Sequence, residues 1–388
     1  MRICLVSHSF YPATFYGGPI SSTLDLSRKL GEHGIEVYVS TTNANGKVRL
    51  DVNTKTFVEL SENLKVRYYH EQIIYYLSLS LILNLYRDIQ KSDIVYIQYI
   101  FHYTVPFALL YSWYLKKIVV ICPRASLSPW GLRWKGKLSY LMKKIWVNIL
   151  IRPFAYRVKW QGCSHIETSD IKAFFPAAEC HVVSDGVYVD SFSNSKIFSV
   201  TELVNKYANK EFTDVSDVVF SMGRLHEIKG FDILIDSFTL VLKNKPNAKL
   251  LIAGSDDRYK YILEKQIKDL NLKDSVFLIG IVNNSQKKEL LSNASIFTLC
   301  SHVESFGIVV VEALACGTGV VVSDKTIWEN LEDNKCGIFV NNEKHEFSKA
   351  IIKALNQSFS SETCVDYVRN RFDWDIVSKN FVNNMISS

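Results

Sequence analysis

The residue types most able to do chemistry fall in the second half of the 388-residue chain, in Glu304-Ser-Phe-Gly-Ile-Val-Val-Val-Glu312. Two carboxylates separated by seven residues flank the start of an apolar helix. Glu304 sits in the loop before it. There the amides of Ser305, Phe306 and Gly307 lack partners within the helix and can donate to an anion such as a diphosphate. Glu312 lies two turns inside, among Val309, Val310, Val311, Ala313 and Leu314. A carboxylate in such surroundings needs a partner, and paired ribose hydroxyls would supply one. The plainer alternative is a capping carboxylate followed by an ion-paired helix residue.

A second segment, Ser221-Met-Gly-Arg-Leu-His-Glu-Ile-Lys-Gly230, follows a strand-like run. Gly223 permits a tight turn, and Arg224 and Lys229 can reach a phosphate from a strand end. Two charge-assisted hydrogen bonds of roughly 1.5–3 kcal/mol each would hold a diphosphate and neutralise it as it leaves. A solvated basic loop is the competing reading. In the first half, Gly17 and Gly18 precede Pro19 at a helix start, where absent side chains let a ligand approach the backbone. The phosphate-loop spacing in Gly131-Leu-Arg-Trp-Lys-Gly136-Lys137 fails, because Leu138 stands where a hydroxyl should bind magnesium. No G-x-G-x-x-G fingerprint follows a strand, which disfavours a nicotinamide dehydrogenase.

Two open sheets would position these segments. Strand-length apolar runs at 3–7, 36–41, 66–69, 94–98, 118–122, 157–162 and 181–183 alternate with helical periods, among them 18–30. The pattern restarts with strands at 218–222, 249–253, 276–279, 296–300 and 319–322 and helices starting near 231, 259, 285 and 306. The expected fold class is α/β, with two doubly wound Rossmann-like domains facing across a cleft and ligands at the strands' carboxyl ends. Residues 1–190 form the first domain, rejoined by a C-terminal helix at about 373–388, and residues 191–372 the second. The polar stretch 191–216 reads as their connection.

Composition excludes several classes. Hydrophobic residues make up 48% and charged residues 22%, so the chain is globular rather than disordered. Eight scattered cysteines without C-x-x-C spacing argue against a disulfide framework or zinc knuckle, and no metal site is expected. The apolar runs 73–86 and 105–122 are too short or too charged to cross a bilayer, and no signal peptide is read, so a cytoplasmic location is expected. The net charge of +6 hides an asymmetry: +8 through Asp190 and −2 beyond it. Between Asp93 and Glu167 no acidic residue occurs, while Lys116, Lys117, Arg124, Arg133, Lys135, Lys137, Lys143, Lys144, Arg152, Arg157 and Lys159 fall there.

The Gly-Gly loop, Gly-Arg-Leu-x-x-x-Lys-Gly, and the Glu, seven residues, Glu segment, in that order, resemble the family-4 retaining glycosyltransferases of GT-B fold. The likeness covers nearly the whole chain. Ser184-Asp-Gly-Val187 resembles the family's Asn-Gly-Val turn, with Asp185 in place of Asn. The resemblance implies that Arg224 and Lys229 bind the donor diphosphate and that Gly18, with Gly17, packs near it. It also implies that Glu304 contacts the transferred sugar, that Glu312 binds the ribose, and that the loop after Gly280, at Ile281, touches the nucleobase. Many members carry a His where Gln98 stands here. His102 and His8 are the nearby imidazoles, and both join Gln98 as acceptor-side candidates. The stretch Cys122-Pro-Arg-Ala-Ser-Leu-Ser-Pro-Trp-Gly-Leu132 resembles a segment of members that extend bacterial surface polysaccharides, which makes Arg124 an acceptor-phosphate candidate.

The resemblance thus implies a metal-independent hexosyltransferase without a cofactor. Its co-substrate would be a nucleotide-diphosphate sugar (UDP-sugar or GDP-sugar), and its acceptor a saccharide or a polyprenyl-diphosphate-linked saccharide, as in O-antigen biosynthesis. The basic, aromatic stretch from Trp130 to Trp160 is read either as an amphipathic helix on an anionic membrane, placing the protein peripherally on the inner face, or as a helix whose apolar side is core. A nucleic-acid partner is disfavoured, because no recognised module accompanies the charge. The alternatives are a nucleotide-sugar epimerase of similar architecture and a non-catalytic sugar-nucleotide binding protein.

Overall fold

The structure is a computed structural model that describes residues 1–71, 77–133, 136–192, 198–256 and 258–386, apart from the Thr14 side chain. The start of the 73–86 apolar run, Trp134 and Lys135 of the basic stretch, residues 193–197 of the expected connection and the final residues of the C-terminal helix lie outside them. Two compact units emerge: Met1–Gly186 with Trp374–Ser388, and Val187–Asp373.

Unit 1 contains β1 (Arg2–Val6), β2 (Glu36–Thr42), the small hairpin β3 (Ala44–Asn45) and β4 (Val48–Arg49), then β5 (Val58–Ser61), β6 (Leu64–Tyr69), β7 (Ile94–Gln98), β8 (Ile118–Cys122), β9 (Lys159–Gly162) and β10 (Glu179–Val182). Its main sheet has the order β10-β9-β8-β7-β1-β2-β6-β5. Neighbours are parallel except β5, which pairs antiparallel with β6 at the edge. Helices α1 (Gly18–Glu32), α2 (Leu79–Gln90), α3 (Thr104–Tyr114), α4 (Pro129–Arg133), α5 (Lys137–Trp146) and α6 (His165–Phe174) fill the crossovers. In α1 the expected apolar stripe, Ile20, Leu24 and Leu30, is buried.

Unit 2 holds β11 (Val218–Met222), β12 (Lys249–Ala253), β13 (Val276–Gly280), β14 (Ile296–Leu299), β15 (Val320–Ser323) and β16 (Gly337–Val340) in one parallel sheet of order β13-β12-β11-β14-β15-β16. Its helices are α7 (Val200–Ala208), α8 (Phe231–Asn244), α9 (Lys260–Asp269), α10 (Asn284–Asn293), α11 (Ile308–Ala315), α12 (Lys344–Asn356) and α13 (Ser361–Phe372). Val320, Val321 and Val322 are fully buried, contributing about 1.5–3 kcal/mol apiece. The stretch expected to be a featureless connection contains α7. A capping box starts that helix, with the Ser199 hydroxyl accepting from the Glu202 amide and the Glu202 carboxylate from the Ser199 amide.

After α13 the chain re-enters unit 1 as α14 (Trp374–Phe381), which packs on α1. Lys29 Nζ reaches the Asp375 carboxylate at 2.8 Å, and His33 Nε2 lies 3.0 Å from Ser378 Oγ. Gly186 is required here, because a Cβ would lie 2.7 Å from the Trp374 ring. Among the described residues no helix is long and apolar enough to cross a membrane.

In both sheets the chain reverses its direction of winding at one point, between β1 and β7 in unit 1 and between β11 and β14 in unit 2. Loops diverge at such switch points and leave a crevice at the carboxyl ends of the strands.

Candidate functional site

In unit 2 the two sequence-predicted segments meet across the switch point. Gly223 and Arg224 leave β11, and the Cys300–Glu304 loop leaves the adjacent β14. A backbone bond from the His302 amide to the Ile228 carbonyl, 2.8 Å, ties the loops together. Gly230 has φ +63°, and a Cβ there would come within 2.1 Å of the Cys300 carbonyl oxygen, so no other residue fits without parting the loops. His226 Nδ1 accepts from the Ile228 amide at 3.2 Å and fixes the short turn carrying Lys229.

Lys229 Nζ donates to Glu304 Oε2 at 2.5 Å, and Ser301 Oγ donates to the same oxygen at 3.2 Å. Both ionic side chains keep a minor exposed fraction, 19% and 15%, so the pair is reachable from solvent. Arg224 is exposed at the same strand end. Gly307 precedes α11, whose first hydrogen bond runs from the Val310 amide to the Gly307 carbonyl. The amides of Ser305, Phe306 and Gly307 therefore stand ahead of the helical ladder. The Phe306 ring is core, packed on Trp328 and Phe372, while its carbonyl accepts from Trp328 Nε1 at 2.9 Å. Ile281 is 78% exposed just beyond β13.

Glu312 is buried and accepts from Lys287 Nζ of α10 at 2.5 Å. Sequence reasoning missed Lys287. The buried carboxylate signalled that a partner was needed, but 25 residues of separation gave no hint of which one.

In unit 1, His8 follows β1 and Gln98 ends β7, on the two sides of the other switch point. The His8 ring packs on Tyr99 at 4.6 Å, His102 at 5.3 Å and Tyr16 at 5.4 Å between centroids. Burial among these rings lowers the His8 pKa to about 4. Burial, with His8 adding to it, also pulls His102 well below the usual range. His102 Nδ1 lies 2.8 Å from Thr104 Oγ1. Gly17 caps α1, and Gly18 is its first residue.

Arg124 corrects an expectation. Its side chain is 2% exposed, and Nη1 donates to both Asp185 oxygens at 2.6 and 2.8 Å. Nε donates to Gln98 Oε1 at 2.9 Å, leaving Gln98 Nε2 without a hydrogen-bond partner among the described residues. Burial opposes the Arg124 charge, but Asp185 outweighs it and raises the guanidinium pKa well above normal. The residue is therefore internal, clamping β7 to the 184–187 turn, and is not presented to an acceptor phosphate. Ala125, φ +57°, donates its amide to Glu167 Oε1 at 2.7 Å, and the Cys163 amide reaches Oε2 at 2.8 Å.

The basic stretch is core in one part and exposed in another. Val147, Ile151 and Trp160 are core. By contrast α5 buries no residue, and Leu138, Leu141, Met142 and Ile145 form an exposed ridge at helical spacing beside Lys137, Lys143 and Lys144.

Paired parallel sheets of this topology are the fold of GT-B glycosyltransferases. The Anabaena Alr3699/HepE complex with UDP and glucose matches with a TM-score of 0.74 at 18% identity, covering 99% of this chain and 98% of that one. Residues 205–371 match the family Glycosyl transferases group 1. Among curated relatives, the chain is 31% identical over 139 residues to the mannosylfructose-phosphate synthase of Agrobacterium fabrum, 34% of this chain but only 31% of that protein's length. It is 24% identical over 365 residues to the alpha-monoglucosyldiacylglycerol synthase of Streptococcus pneumoniae, 92% of this chain and 78% of the relative.

Proposed function

We propose that this protein is a retaining glycosyltransferase that moves a sugar from a nucleotide diphosphate to a membrane-associated saccharide acceptor, of the polyprenyl-diphosphate-linked kind used in surface polysaccharide or O-antigen assembly. The observation that carries the reading is the junction of the Gly223–Gly230 and Cys300–Gly307 loops at one switch point of unit 2, with Lys229 on Glu304 at 2.5 Å.

In this reading the donor diphosphate takes over Lys229, accepts from Arg224 and from amides ahead of α11, and leaves with its charge neutralised in place. No metal ion is needed for that step. Glu304, released from Lys229, turns to the transferred sugar, and Glu312 to the ribose. A departing phosphate oxygen accepts the acceptor's proton, so retention requires no protein base. The match to group 1 glycosyl transferases over unit 2 and the UDP and glucose held by the Anabaena structure support a nucleotide-sugar donor, with UDP and GDP as the forms to test. The α5 ridge with its lysines, and a relative whose name describes a glucolipid synthase, support a cytoplasmic protein peripheral on the membrane's inner face.

The test is a thermal-shift screen of UDP, GDP and their sugars, followed by turnover with lipid-linked saccharides. A ligand at 100 times its Kd stabilises by about 2.7 kcal/mol. Stabilisation by one nucleotide, lost in Arg224→Ala or Lys229→Ala, is expected. Stabilisation by none ends the reading, and epimerised donor in the absence of acceptor replaces it.

A further inference from the structure

The amino ends of β8 and β9 hold a groove of about 550 Å³ that the proposed transfer does not use. It lies at the end of the sheet opposite His8 and Gln98, because Lys116 and Lys117 directly precede β8 and Arg157 and Val158 directly precede β9. Leu109, Val119, Phe154 and Val158 give it an apolar floor. Its rim is cationic. Lys116 and Arg157 are exposed, and Lys117 is held by the Gln90 and Ser92 carbonyls. Trp113 and Tyr114, 52% and 68% exposed, form an aromatic lip.

Among the described residues no acidic side chain lines the groove, and none occurs in the sequence between Asp93 and Glu167. A cationic rim around a greasy floor matches the two halves of an anionic amphiphile. A free phosphate would leave that floor wet, and a neutral hydrocarbon would leave the cations unanswered. Tryptophan and tyrosine at the lip suit the boundary between headgroups and acyl chains.

We infer that this groove seats a single anionic phospholipid of the leaflet, its acyl chain on the Leu109–Phe154 floor and its phosphate between Lys116 and Arg157. The inference deepens the membrane part of the proposed function but is independent of donor chemistry and of the α5 ridge.

The experiment measures three probes on the full chain: phosphatidylglycerol vesicles, monomeric dihexanoyl phosphatidylglycerol below its micelle concentration, and glycerol 3-phosphate. The variants are K116E/R157E and a ridge variant with Leu138, Leu141, Met142 and Ile145 all changed to Ser. Every substituted side chain is exposed, and unchanged thermal melting checks the fold. Wild type should bind the monomeric lipid, K116E/R157E should bind it at least roughly 30-fold more weakly, as the loss of two cations beside an anionic headgroup alone implies, and the ridge variant should bind it normally while losing vesicles. Glycerol 3-phosphate should not compete. Absent lipid binding, binding indifferent to K116E/R157E, or equal binding of glycerol 3-phosphate overturns the groove assignment. Donor-induced stabilisation, read separately on the same variants, shows whether the transferase reading fails with it.

Discussion

Lys229 has a structural partner in the free protein and a functional one in the proposed complex, and paired substitutions separate the two. In Lys229→Met the Glu304 carboxylate, 15% exposed, keeps among the described residues only the Ser301 hydroxyl at 3.2 Å. Stranding a largely buried acceptor costs about 1–3 kcal/mol, so the urea midpoint should fall. The same change removes a charge-assisted bond to phosphate of about 1.5–3 kcal/mol, a loss of roughly 10- to 150-fold in nucleotide affinity by calorimetry. Adding Glu304→Gln neutralises the stranded carboxylate. K229M/E304Q should therefore regain most of the stability and little of the affinity. Glu304→Gln alone frees Lys229 from its competitor, so UDP or GDP should bind as tightly as to wild type or more tightly, while sugar transfer falls. If K229M/E304Q binds nucleotide as well as the unaltered chain, Lys229 serves the fold and the diphosphate assignment collapses.

Arg124→Met should destabilise unit 1 by about 3–5 kcal/mol in chemical denaturation, since it abandons buried Asp185, whereas R124M/D185L should recover most of that loss. Gly230→Ala forces a Cβ into the Cys300 carbonyl at a left-handed φ that alone costs about 1–2 kcal/mol. Its thermal midpoint and nucleotide affinity should drop together, because the loops that part are those of the site. The His8 pKa is depressed in the folded state, so unfolding takes up a proton. Its contribution is fully present above the unfolded value near 6.5 and is lost as pH falls toward about 4. In His8→Phe the urea midpoint should fall less steeply across that window than in wild type, and an unchanged slope would refute the placement of His8.

The alternation of apolar runs predicts the principal parallel strands to within a few residues, because strands buried on both faces must be continuously greasy. What escaped is what burial does not mark. β5, Val58–Ser61, is an edge strand with a half-polar pattern, and β16 is four residues long beside a polar loop. α7 lay inside a stretch that is polar overall, although Ser199 and Glu202 at capping spacing were available to find it. That the Gly-Arg-Leu and Glu-x7-Glu segments adjoin was legible because both follow strands, and strand ends converge at a switch point. Arg124 was misread for a related reason. A sequence displays a charge but not the countercharge, and Asp185 lies 61 residues away.

The way the chain enters and leaves unit 2 has a practical consequence. The Val187 amide bonds to the Phe372 carbonyl at 2.9 Å, and Val187 pairs with Asp373 in a parallel bridge, so the unit opens and closes at a single doorstep. It is a cassette with adjacent ends, inserted between Gly186 and Trp374 of its host. Two cuts should excise it, and a short peptide should reseal the gap. If the proposed donor site is correct, recombination at those two joints should carry the nucleotide preference with the cassette.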